Sequence, residues 1–436
     1  MTAPVHSPIG ILAGNGSLPV EIARAIVERG GRVQVVAIDS AASGELDAFP
    51  IVRIGLGQIG GILHAFRTAG CRDLVIVGGV SRPDLGTLRP DLGLFLNLPQ
   101  VVRLVFSGGD DGVLRVVVRF FEAKGFNVVS PVDLVPALAV GAGRLTEASP
   151  TAADIADILL GSSVVKALGA YDIGQAVIVS GGEIHAIEAA EGTDRMLARV
   201  AQAKVGSTPG GPTGVLVKRP KPGQEMRVDL PAIGPETVTR VAQAGLSGIA
   251  VLAGQSLAAQ RPQLIEAAKA ASVFVYGFTE GDGLARPRGD SRWMTARVQT
   301  LAGASPGKAA LTDIRLGAAA LSSIAALTRG GACVVSRGHI LGLETRGEIA
   351  DLVRRSKRVQ QWGIGRLRRR VGVAVLAGDV LLDLATIQTA ADVCLSGIVL
   401  MGQQTVADDA VRAAKDVGLF LLRFTISALP ANESLS

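Results

Sequence analysis

Residues 8–39, PIGILAGNGSLPVEIARAIVERGGRVQVVAID, decide the fold of the first part of the chain. They predict a short apolar strand over 8–14, a turn into an amphipathic helix, and a second apolar strand that ends at Asp39. Another apolar strand is predicted over 73–80, DLVIVGGV, again with glycines at its carboxyl end. Strand, helix and strand at this spacing indicate a parallel sheet with right-handed crossovers. The sequence therefore predicts a Rossmann-like domain at the N-terminus.

The loop Gly14–Pro19, GNGSLP, follows the first predicted strand. A doubly wound sheet places its ligand at such a loop. The dinucleotide fingerprint requires a third glycine where Pro19 stands, while Asp39 lies where that motif has its ribose-binding acid. A nicotinamide-dependent oxidoreductase is therefore one reading, although no proton donor is indicated beside the loop. The other reading of Asp39 is an ordinary acid at the end of a strand.

A partial internal repeat links the middle of the chain to its end. Sliding the sequence by 156 positions superimposes identical residues: Asp157 on Asp313, Ser180 on Ser336, and Glu188 on Glu344. Further matches need a changed offset: Val228-Asp229-Leu230 with Leu382-Asp383-Leu384, and Leu246-Ser247-Gly248-Ile249 with Leu395-Ser396-Gly397-Ile398. What both copies keep is mostly apolar or Gly, the material of strands and turns. Only the first copy has EGTD at 191–194 and KRPKPGQ at 218–224.

A length of 436 residues predicts several domains. We predict a Rossmann-like domain over 1–148 and an α/β domain over 149–280 that carries the candidate chemistry, here termed the equipped copy. A linker over 281–299 then leads to a degenerate repeat of that domain over 300–436, here termed the repeat. Hydrophobic residues make up 48% of the chain and aromatics only 3%. This composition suits α/β layers in which helices approach a sheet closely.

Several features favour a cytoplasmic protein. The first ten residues, MTAPVHSPIG, lack the basic and apolar regions of a signal peptide. No run of about 18 apolar residues could form a spanning helix. Three cysteines are widely spaced without a metal-ligand pattern, and Cys71 and Cys394 are expected to be buried thiols because their neighbours are apolar.

The net charge of +6 is unevenly placed, since residues 354–370, RRSKRVQQWGIGRLRRR, contain many bases and no acid. A solvated basic surface is one interpretation. The other is an anionic partner, and Trp362 within the run favours a lipid surface, where an indole sits among headgroups. Nucleic acid is not indicated, because no interleaved aromatics and no recognised binding motif accompany the charge.

The segment unique to the equipped copy carries the candidate chemistry. Lys218, Arg219 and Lys221 fall within four residues, and two prolines stiffen the loop that holds them. Fixed cations can bind phosphate oxygens and neutralise the charge that develops when a phosphoryl bond breaks. Gln224 adds an amide that could donate to an oxygen or orient a water.

Two carboxylates accompany these cations. Asp229 follows the cationic loop, and Asp194 begins a predicted helix in a different loop. Together they could share a divalent ion, or one could orient a water while the other holds the ion. The alternative is that Asp229 is a structural acid that caps the helix after Pro231, as its match with Asp383 suggests. Both interpretations stay open at the level of the residues.

Five ordered segments of the chain resemble the LpxI family, the UDP-2,3-diacylglucosamine pyrophosphatases of lipid A biosynthesis. The segments are GILAGNGSLP, GGVSRPD, SGGDDGVLR, EAAEGTD and KRPKPGQEMRVDLPAIG, and the resemblance covers about residues 8–278. It implies two domains with the substrate between them, and hydrolysis of UDP-2,3-diacylglucosamine to UMP and 2,3-diacylglucosamine 1-phosphate with a divalent cation, usually Mg²⁺. It also implies that the lipid product leaves to the inner membrane, where the protein would sit peripherally.

The resemblance assigns roles to residues of this chain. It implies that Asp229, Lys221 and Gln224 are catalytic, with Asp229 and Asp194 as metal ligands. It further implies substrate contacts from both domains: Gly14, Asn15, Gly16 and Arg82 on the nucleotide or sugar side, and Thr193, Asp194 and Lys218 at the diphosphate.

The chain departs from the family pattern in three ways, one of which is Asp39 at a position where a less acidic residue is expected. It has Gly78-Gly79-Val80 where relatives often have Gly-Asn-Val, and residues 279–436 exceed the usual length. We expect the surplus to fold as an inactive domain that packs on the equipped copy and replaces a dimer partner, while a homo-oligomer stays open. A non-catalytic sugar-nucleotide sensor is the alternative function, although the retained Asp194, Lys221 and Asp229 oppose it.

Overall fold

The computed structural model describes residues 7–38, 43–55, 57–79, 110–203, 207–208, 211–280, 297–360, 370–378 and 381–425. By its internal contacts the chain forms two compact units. Unit 1 consists of Met1–Ser149, Gly223–Thr239 and Val251–Thr279, and unit 2 of Pro150–Pro222, Arg240–Ala250 and Glu280–Ser436. Both units are discontinuous in sequence, whereas the linear domain boundaries given above stay a prediction.

Unit 1 is built on a five-stranded sheet whose strands are all parallel, in the order β3-β2-β1-β4-β5. The strands are β1 (Ile9–Ala13), β2 (Val33–Ile38), β3 (Ile51–Ile54), β4 (Asp73–Val77) and β5 (Asn127–Val128). The helices that connect them are α1 (Leu18–Glu28), α2 (Ile59–Thr68) and α3 (Asp110–Ala123). This architecture confirms the predicted Rossmann-like domain.

The apolar runs of these strands form because the sheet is covered on both faces. One core contains Ile22 and Ile26 of α1, and the other contains Phe66 of α2 and Phe121 of α3. β1 contributes to both cores and is buried along its whole length. A strand buried on two faces needs continuous rather than alternating hydrophobicity, which is the pattern read in residues 8–14.

The remaining elements of the first 280 residues are short and numerous. The helices are α4 (Pro131–Leu134), α5 (Ala152–Leu168), α6 (Thr193–Gln202), α7 (Pro235–Gln243) and α8 (Arg261–Ala270). The strands are β6 (Gly143–Arg144), β7 (Ala176–Ser180), β8 (Glu183–Ile187), β9 (Ser207–Thr208), β10 (Gly211–Pro212), β11 (Val215–Lys218), β12 (Ala232–Ile233), β13 (Gly248–Leu252), β14 (Leu257–Ala258) and β15 (Phe274–Phe278).

The repeat has its own set of elements within unit 2. Its strands are β16 (Arg297–Ala302), β17 (Gly330–Ser336), β18 (His339–Glu344), β19 (Val373–Gly378), β20 (Gly397–Met401) and β21 (Phe420–Thr425). Its helices are α9 (Lys308–Ser323), α10 (Ile349–Gln360), α11 (Leu384–Asp392) and α12 (Asp408–Asp416).

Two six-stranded sheets reveal the duplication directly. The sheet of the equipped copy has the order β6-β15-β13-β11-β7-β8, and that of the repeat has the order β16-β21-β20-β19-β17-β18. Corresponding neighbours pair in the same sense, since β7 and β17 each run antiparallel to both of their neighbours. The strand orders therefore agree position by position with the predicted repeat.

The acids that both copies keep have a structural role. The carboxylate of Asp157 accepts hydrogen bonds from the backbone N–H groups of Gly181–Gly182, at 3.0 and 2.7 Å. Asp313 accepts from those of Arg337–Gly338 at 3.1 and 2.7 Å. Each carboxylate closes the tight turn of an antiparallel hairpin, so its retention in the repeat reflects folding and not chemistry.

The equipped copy and the repeat share one hydrophobic core within unit 2. Val165 and Leu168 of α5 belong to the same buried cluster as Ile314 and Leu321 of α9. Burial of this kind contributes about 25 cal/mol per Å² of apolar surface, which makes such a core the main stabilising interaction between two layers. The repeat therefore packs on the equipped copy as a domain of the same body, as the sequence led us to expect.

The cysteine prediction is only half right. Cys71 is buried as expected, but Cys394 is exposed, while Cys333 is buried in the core of the repeat. Cys394 has a positive φ of 59°, which places it in the turn after α11 and not in a regular element. Among the described residues, the structure contains no helix that is long and apolar enough to cross a membrane.

Candidate functional site

The loop Gly14–Gly16 lies at the topological switch point of the first sheet. In the order β3-β2-β1-β4-β5, the direction of strand progression reverses between β1 and β4. The backbone N–H of Asn15 donates to the carbonyl of Gly79 at 2.7 Å, and the N–H of Gly79 donates back at 3.0 Å. Open α/β sheets bind ligands in this position. Gly14, Asn15 and Gly16 thus lie at the switch point of the sheet, while their role as nucleotide contacts stays a prediction.

Gly14 is required by a close approach of two backbone segments. A Cβ at Gly14 would lie 2.5 Å from the carbonyl oxygen of Gly79 and 2.8 Å from that of Gly78. Gly16 has a φ of 99°, a left-handed conformation that favours glycine. Arg82 and Asp39, the other predicted contacts on this side, lie outside the described residues.

The segment that carries Asp229 folds as part of unit 1. Its flanking residues anchor it, because Val228 packs against one core of the first sheet and Leu230 against the other. The buried Gln224 donates from Nε2 to the backbone carbonyl of Asp229 at 2.7 Å. The backbone N–H of Asp229 in turn donates to the carbonyl of Glu225 at 3.0 Å. Gln224 and Asp229 are therefore brought together, with Gln224 fixing the backbone that presents the acid.

Arg227 reinforces this segment and was missed by sequence reasoning. Its guanidinium pairs with Glu225 at 2.8 Å and with Glu122 of α3 at 2.6 Å. The hydrogen bond from Arg227 holds the pKa of the Glu225 carboxyl below its ordinary value. Bidentate pairing of this kind fixes the geometry of the segment. The spacing of these residues in the sequence does not predict the pairing.

Asp229 does not cap a helix, so the structural alternative for this residue is wrong. Helix α7 begins only at Pro235, whereas Asp383 is the N-cap of α11 and accepts from the N–H of Thr386 at 2.9 Å. Helices α7 and α11 correspond, since each is followed by the matching Leu-Ser-Gly-Ile strand start. The residue equivalent to Asp383 is consequently Gly234. The match of Asp229 with Asp383 that the sequence suggested is therefore wrong.

The cations of the KRPKPGQ segment are buried, although charged residues of this kind usually lie at the surface. Lys218 is 6% exposed, Arg219 5% and Lys221 8%. Nζ of Lys221 lies 2.5 Å from Oδ1 of Asp172, which the sequence did not single out. Asp172 has a φ of 56°, a conformation that costs free energy for a residue with a side chain. This arrangement holds one cation in place at a conformational cost.

Arg219 has a separate set of partners in unit 2. Its Nη1 donates to Oγ of Ser162 at 3.1 Å, and its Nη2 pairs with Glu280. Glu280 also accepts from Nζ of Lys166 at 2.5 Å. The hydrogen bonds from Lys166 and Arg219 hold the pKa of the Glu280 carboxyl below its ordinary value. Arg219 therefore acts as an anchor of the loop that carries the two lysines.

Sheet register places Glu188 on the same face as Lys218. Lys218 of β11 lies directly opposite Ala176 of β7, and the N–H of Glu188 donates to the carbonyl of Ala176 at 2.8 Å. Residues opposite one another on neighbouring strands share a face. The small side chain of Ala176 leaves room between the long cation and the long acid. Glu188 is a site residue that the sequence had suggested only as a structural echo.

The carboxyl of Glu188 has an unusual environment. Burial raises its pKa, while Lys218, a hydrogen bond from Thr193 and Lys221 oppose this shift. Its Oε1 accepts from Oγ1 of Thr193 at 3.0 Å, and its buried Oε2 has no hydrogen-bond partner in the part of the chain that is described. Perturbed acids beside specific charges are enriched at functional sites. Lys218, Lys221, Thr193 and Glu188 thus form one cluster in unit 2.

Thr193 and Asp194 begin helix α6. The turn before them requires Gly192, whose φ is 82°. Thr193 faces Glu188, as described, but Asp194 has a side chain that is 63% exposed and lies 3.5 Å from Arg240. The structure therefore brings Thr193 to the lysine cluster and gives Asp194 an exposed position at the same helix terminus.

The two carboxylates predicted to bind a metal ion lie in different units. Among the described residues, no group of three or more His, Cys, Asp or Glu side chains is arranged to hold a metal ion. Asp194 belongs to unit 2 and Asp229 to unit 1. Both supply carboxylate oxygens, which Mg²⁺ prefers, and Mg²⁺ commonly uses one or two carboxylates together with substrate phosphates and waters. Each acid, taken within its own unit, supplies a donor of the kind that Mg²⁺ binds.

The repeat has lost this cluster at defined positions. Its Leu376 lies opposite Ala332, as Lys218 lies opposite Ala176, and Ala377 follows where the equipped copy has Arg219. Glu344 remains in place of Glu188, opposite the same Ala332. The register of the strands therefore shows that the buried lysine has been exchanged for leucine while its acidic neighbour was kept.

Two family models match successive parts of the chain. A model of the LpxI N-terminal domain matches residues 8–138, and a model of the LpxI C-terminal domain matches residues 141–276. The chain is also 40% identical over 271 residues to the UDP-2,3-diacylglucosamine pyrophosphatase LpxI of Caulobacter vibrioides. That match covers 96% of the Caulobacter protein and 62% of this chain.

Proposed function

Because the chain belongs to the LpxI family, we propose that it hydrolyses the pyrophosphate bond of UDP-2,3-diacylglucosamine to UMP and 2,3-diacylglucosamine 1-phosphate. The observation that carries this proposal is the buried cluster of Lys218 and Lys221 within residues 141–276, which match the LpxI C-terminal domain. Pyrophosphate hydrolysis needs charge neutralisation and a positioned water more than covalent chemistry. Fixed, desolvated lysines supply the first of these requirements.

The lysines contribute most where water is excluded. Electrostatic interactions strengthen in a low-dielectric site, and cations that are already in place need no reorganisation as charge develops on the leaving phosphate. Asp172 pairs with Lys221, and the charge of Lys218 acts on the carboxyl of Glu188, in the absence of substrate. We infer that an incoming diphosphate competes with these acids for the lysines.

The nucleotide is assigned to the loop Gly14–Gly16. Its position at the sheet switch point supports this assignment, as does the close backbone approach that Gly14 permits. Arg82, which lies outside the described residues, stays a proposed contact on the same side of the substrate.

Asp229 is proposed as the acid that orients the attacking water or holds a divalent cation. Gln224 fixes its backbone, and the packing of Val228 and Leu230 fixes its position along the chain. Asp194 would provide a second carboxylate, and a bound Mg²⁺ would supply positive charge to the pyrophosphate oxygens. The cofactor is therefore proposed as Mg²⁺, with Asp194 and Asp229 as its ligands.

The decisive experiment is an assay with UDP-2,3-diacylglucosamine and MgCl₂, with UMP and the lipid phosphate measured by mass spectrometry. We expect UMP to form and the reaction to stop in excess EDTA. Tight substrate binding without UMP would instead identify the protein as a sugar-nucleotide sensor. Activity that persists in EDTA would contradict the metal proposal and leave the hydrolase proposal intact.

The lipid nature of this substrate suggests peripheral contact of a cytoplasmic protein with the inner membrane through residues 354–370. Within the described part of this stretch, Arg354 pairs with Asp351 and Arg355 with Glu344, while residues 361–369 lie outside the described residues. We expect binding to vesicles that contain anionic phosphatidylglycerol and its loss when Arg366, Arg368, Arg369 and Arg370 become Gln. Unchanged binding of that variant would rule out this role.

The shared core of the two copies bears on oligomeric state. Since the repeat already covers a face of the equipped copy, we propose that it takes the place of a second subunit. Light scattering coupled to size exclusion should then give a monomer of 44.7 kDa. A dimer would show instead that the homo-oligomer expected as an alternative forms through another surface.

A further inference from the structure

An ion-pair bridge links the repeat to the loop that begins helix α6. Nη1 of Arg199 lies 2.7 Å from Oε1 of Glu344 in the repeat. Nη2 of the same guanidinium lies 2.5 Å from Oε1 of Glu191, the first residue of the EGTD segment. Arg199 itself lies in the last turn of α6, so one side chain connects both ends of this helix to the repeat.

The bridge is shielded from solvent. The side chain of Glu344 is 9% exposed, and those of Arg199 and Glu191 are each 18% exposed. Arg355 of the repeat supplies a second cation to Glu344. Burial raises the pKa of the Glu344 carboxyl, and the two arginines oppose that shift. An acid that is buried and paired in this way makes a stiffer connection than an exposed ion pair, because its partners cannot exchange with water.

Other contacts act on the same stretch of chain. Ala190, immediately before Glu191, packs against the hydrophobic core of the repeat. On the strand that leads to this loop, the carbonyl of Ile184 accepts a hydrogen bond of 2.8 Å from Oγ1 of Thr345. Apolar and ionic contacts from the repeat thus reach the residues between β8 and α6, and a hydrogen bond from the repeat holds β8 itself.

Glu188 and its counterpart Glu344 have different partners in the two copies. Glu188 and Glu344 hold the same register position in their sheets. Glu188 is next to Lys218, whereas Glu344 has Leu376 in the place of that lysine and is paired instead with Arg199 of the other copy. An unpaired buried acid would be strongly destabilising, and Arg199 together with Arg355 supplies the positive charge that the buried Glu344 needs.

We propose that Glu344 is a positioning residue that acts through Arg199 and Glu191 to hold the Glu191–Asp194 loop for catalysis in the equipped copy. The repeat is then a fused positioning domain and not merely a remnant. This proposal rests on the proposed hydrolase for its effect on turnover, but the ordering of the loop can be measured without any substrate.

The experiment compares full-length variants by hydrogen exchange and by turnover. Glu344→Gln and Glu191→Gln interrupt the bridge at its two ends, and the double variant tests whether they act in series. Asp383→Ala is the matched control, since it removes a helix cap in the repeat and has no part in the bridge. Amide exchange is followed in peptides that cover Glu188–Asp194, together with the thermal midpoint of each variant.

We expect faster exchange in those peptides and about tenfold lower turnover in both single variants, with no further loss in the double variant. Asp383→Ala should lower the thermal midpoint and leave both the exchange of those peptides and the turnover unchanged. Unaltered exchange in Glu191→Gln overturns the proposal, even if Glu344→Gln fails to fold. If the wild type releases no UMP but the variants still exchange faster, the hydrolase proposal fails and the positioning role stands. The two failures are therefore distinguishable.

Discussion

Lys218 and Glu188 stand on either side of Ala176 on one face of the same sheet, whereas the equivalent pair in the repeat is Leu376 and Glu344. The chain therefore contains its own comparison of a buried lysine with leucine at one position of one fold. The surrounding strands have the same order in both sheets. The difference between the two copies at this position is therefore the lysine and the partners of its neighbouring acid, and not the architecture of the sheet.

The first prediction uses that comparison and concerns Lys218→Leu. The repeat accepts leucine at the equivalent position, where Arg199 and Arg355 pair with its acid. In the variant Lys221 still acts on the charge of Glu188, so we expect the protein to fold. Loss of a fixed cation at the diphosphate should lower turnover about a hundredfold or more. UMP release and circular dichroism on the same preparation test both expectations. A folded variant with unchanged turnover would remove Lys218 from the proposed mechanism.

The second prediction concerns the pH dependence of stability at Glu188. The folded-state pKa of this carboxyl is raised above its ordinary value of 4.5. At pH values between these two pKa values, the folded protein therefore binds more protons than the unfolded chain. The contribution of Glu188 to stability is then complete below pH 4.5 and is lost as pH rises through the raised pKa. Glu188→Gln cannot ionise, so the wild type should lose stability relative to this variant across that window.

Urea unfolding of both proteins at a series of pH values measures this difference directly. Other titrating groups are common to the two proteins and cancel when the free energies of unfolding are subtracted. Parallel pH profiles would mean that Glu188 has an ordinary pKa and that burial does not dominate its environment.

Sequence reasoning succeeded where local pattern and fold agree. The apolar strands around the loop Gly14–Pro19 predicted the first sheet, because strands buried on two faces must be continuously apolar. The repeat was visible in the acids that close hairpins, Asp157 and Asp313, since a backbone turn preserves its partner. The cationic loop was found because two prolines and three cations cannot form a helix or an apolar strand.

Other features were inaccessible because they depend on non-local register. Lys218 reads as a surface residue until its opposite neighbour, Ala176, is known, and Asp172 becomes a partner of Lys221 only through the fold. The match of Asp229 with Asp383 failed for a related reason. The loop of residues 219–231 has no counterpart of its length between Leu376 and Leu382. Two identical residues therefore aligned positions that the structure separates.

The third prediction concerns the nucleotide loop and the variant Gly14→Ala. The added Cβ would collide with the carbonyl oxygens of Gly78 and Gly79, so the two backbone segments must move apart. We expect the affinity for UMP, measured by titration calorimetry, to fall by about tenfold or more because the loop loses its geometry. Gly79→Ala is the control, since no atom of the described residues lies within 4 Å of its Cβ. Equal effects of the two variants would contradict a role for the Gly14 approach.

The fourth prediction separates the acid proposed for catalysis from the acid that caps a helix. Asp229→Ala should abolish UMP release while the protein stays folded, because Val228 and Leu230 still anchor the segment and Gln224 still binds the backbone carbonyl. Asp383→Ala should instead cost about 1 kcal/mol of stability through its lost hydrogen bond to the N–H of Thr386, with turnover retained. Initial rates and thermal midpoints for both variants give the two quantities independently. If both substitutions removed activity to the same extent, the assignment of Asp229 as the acid of the reaction would be wrong, because a cap in the repeat makes no contribution to the chemistry.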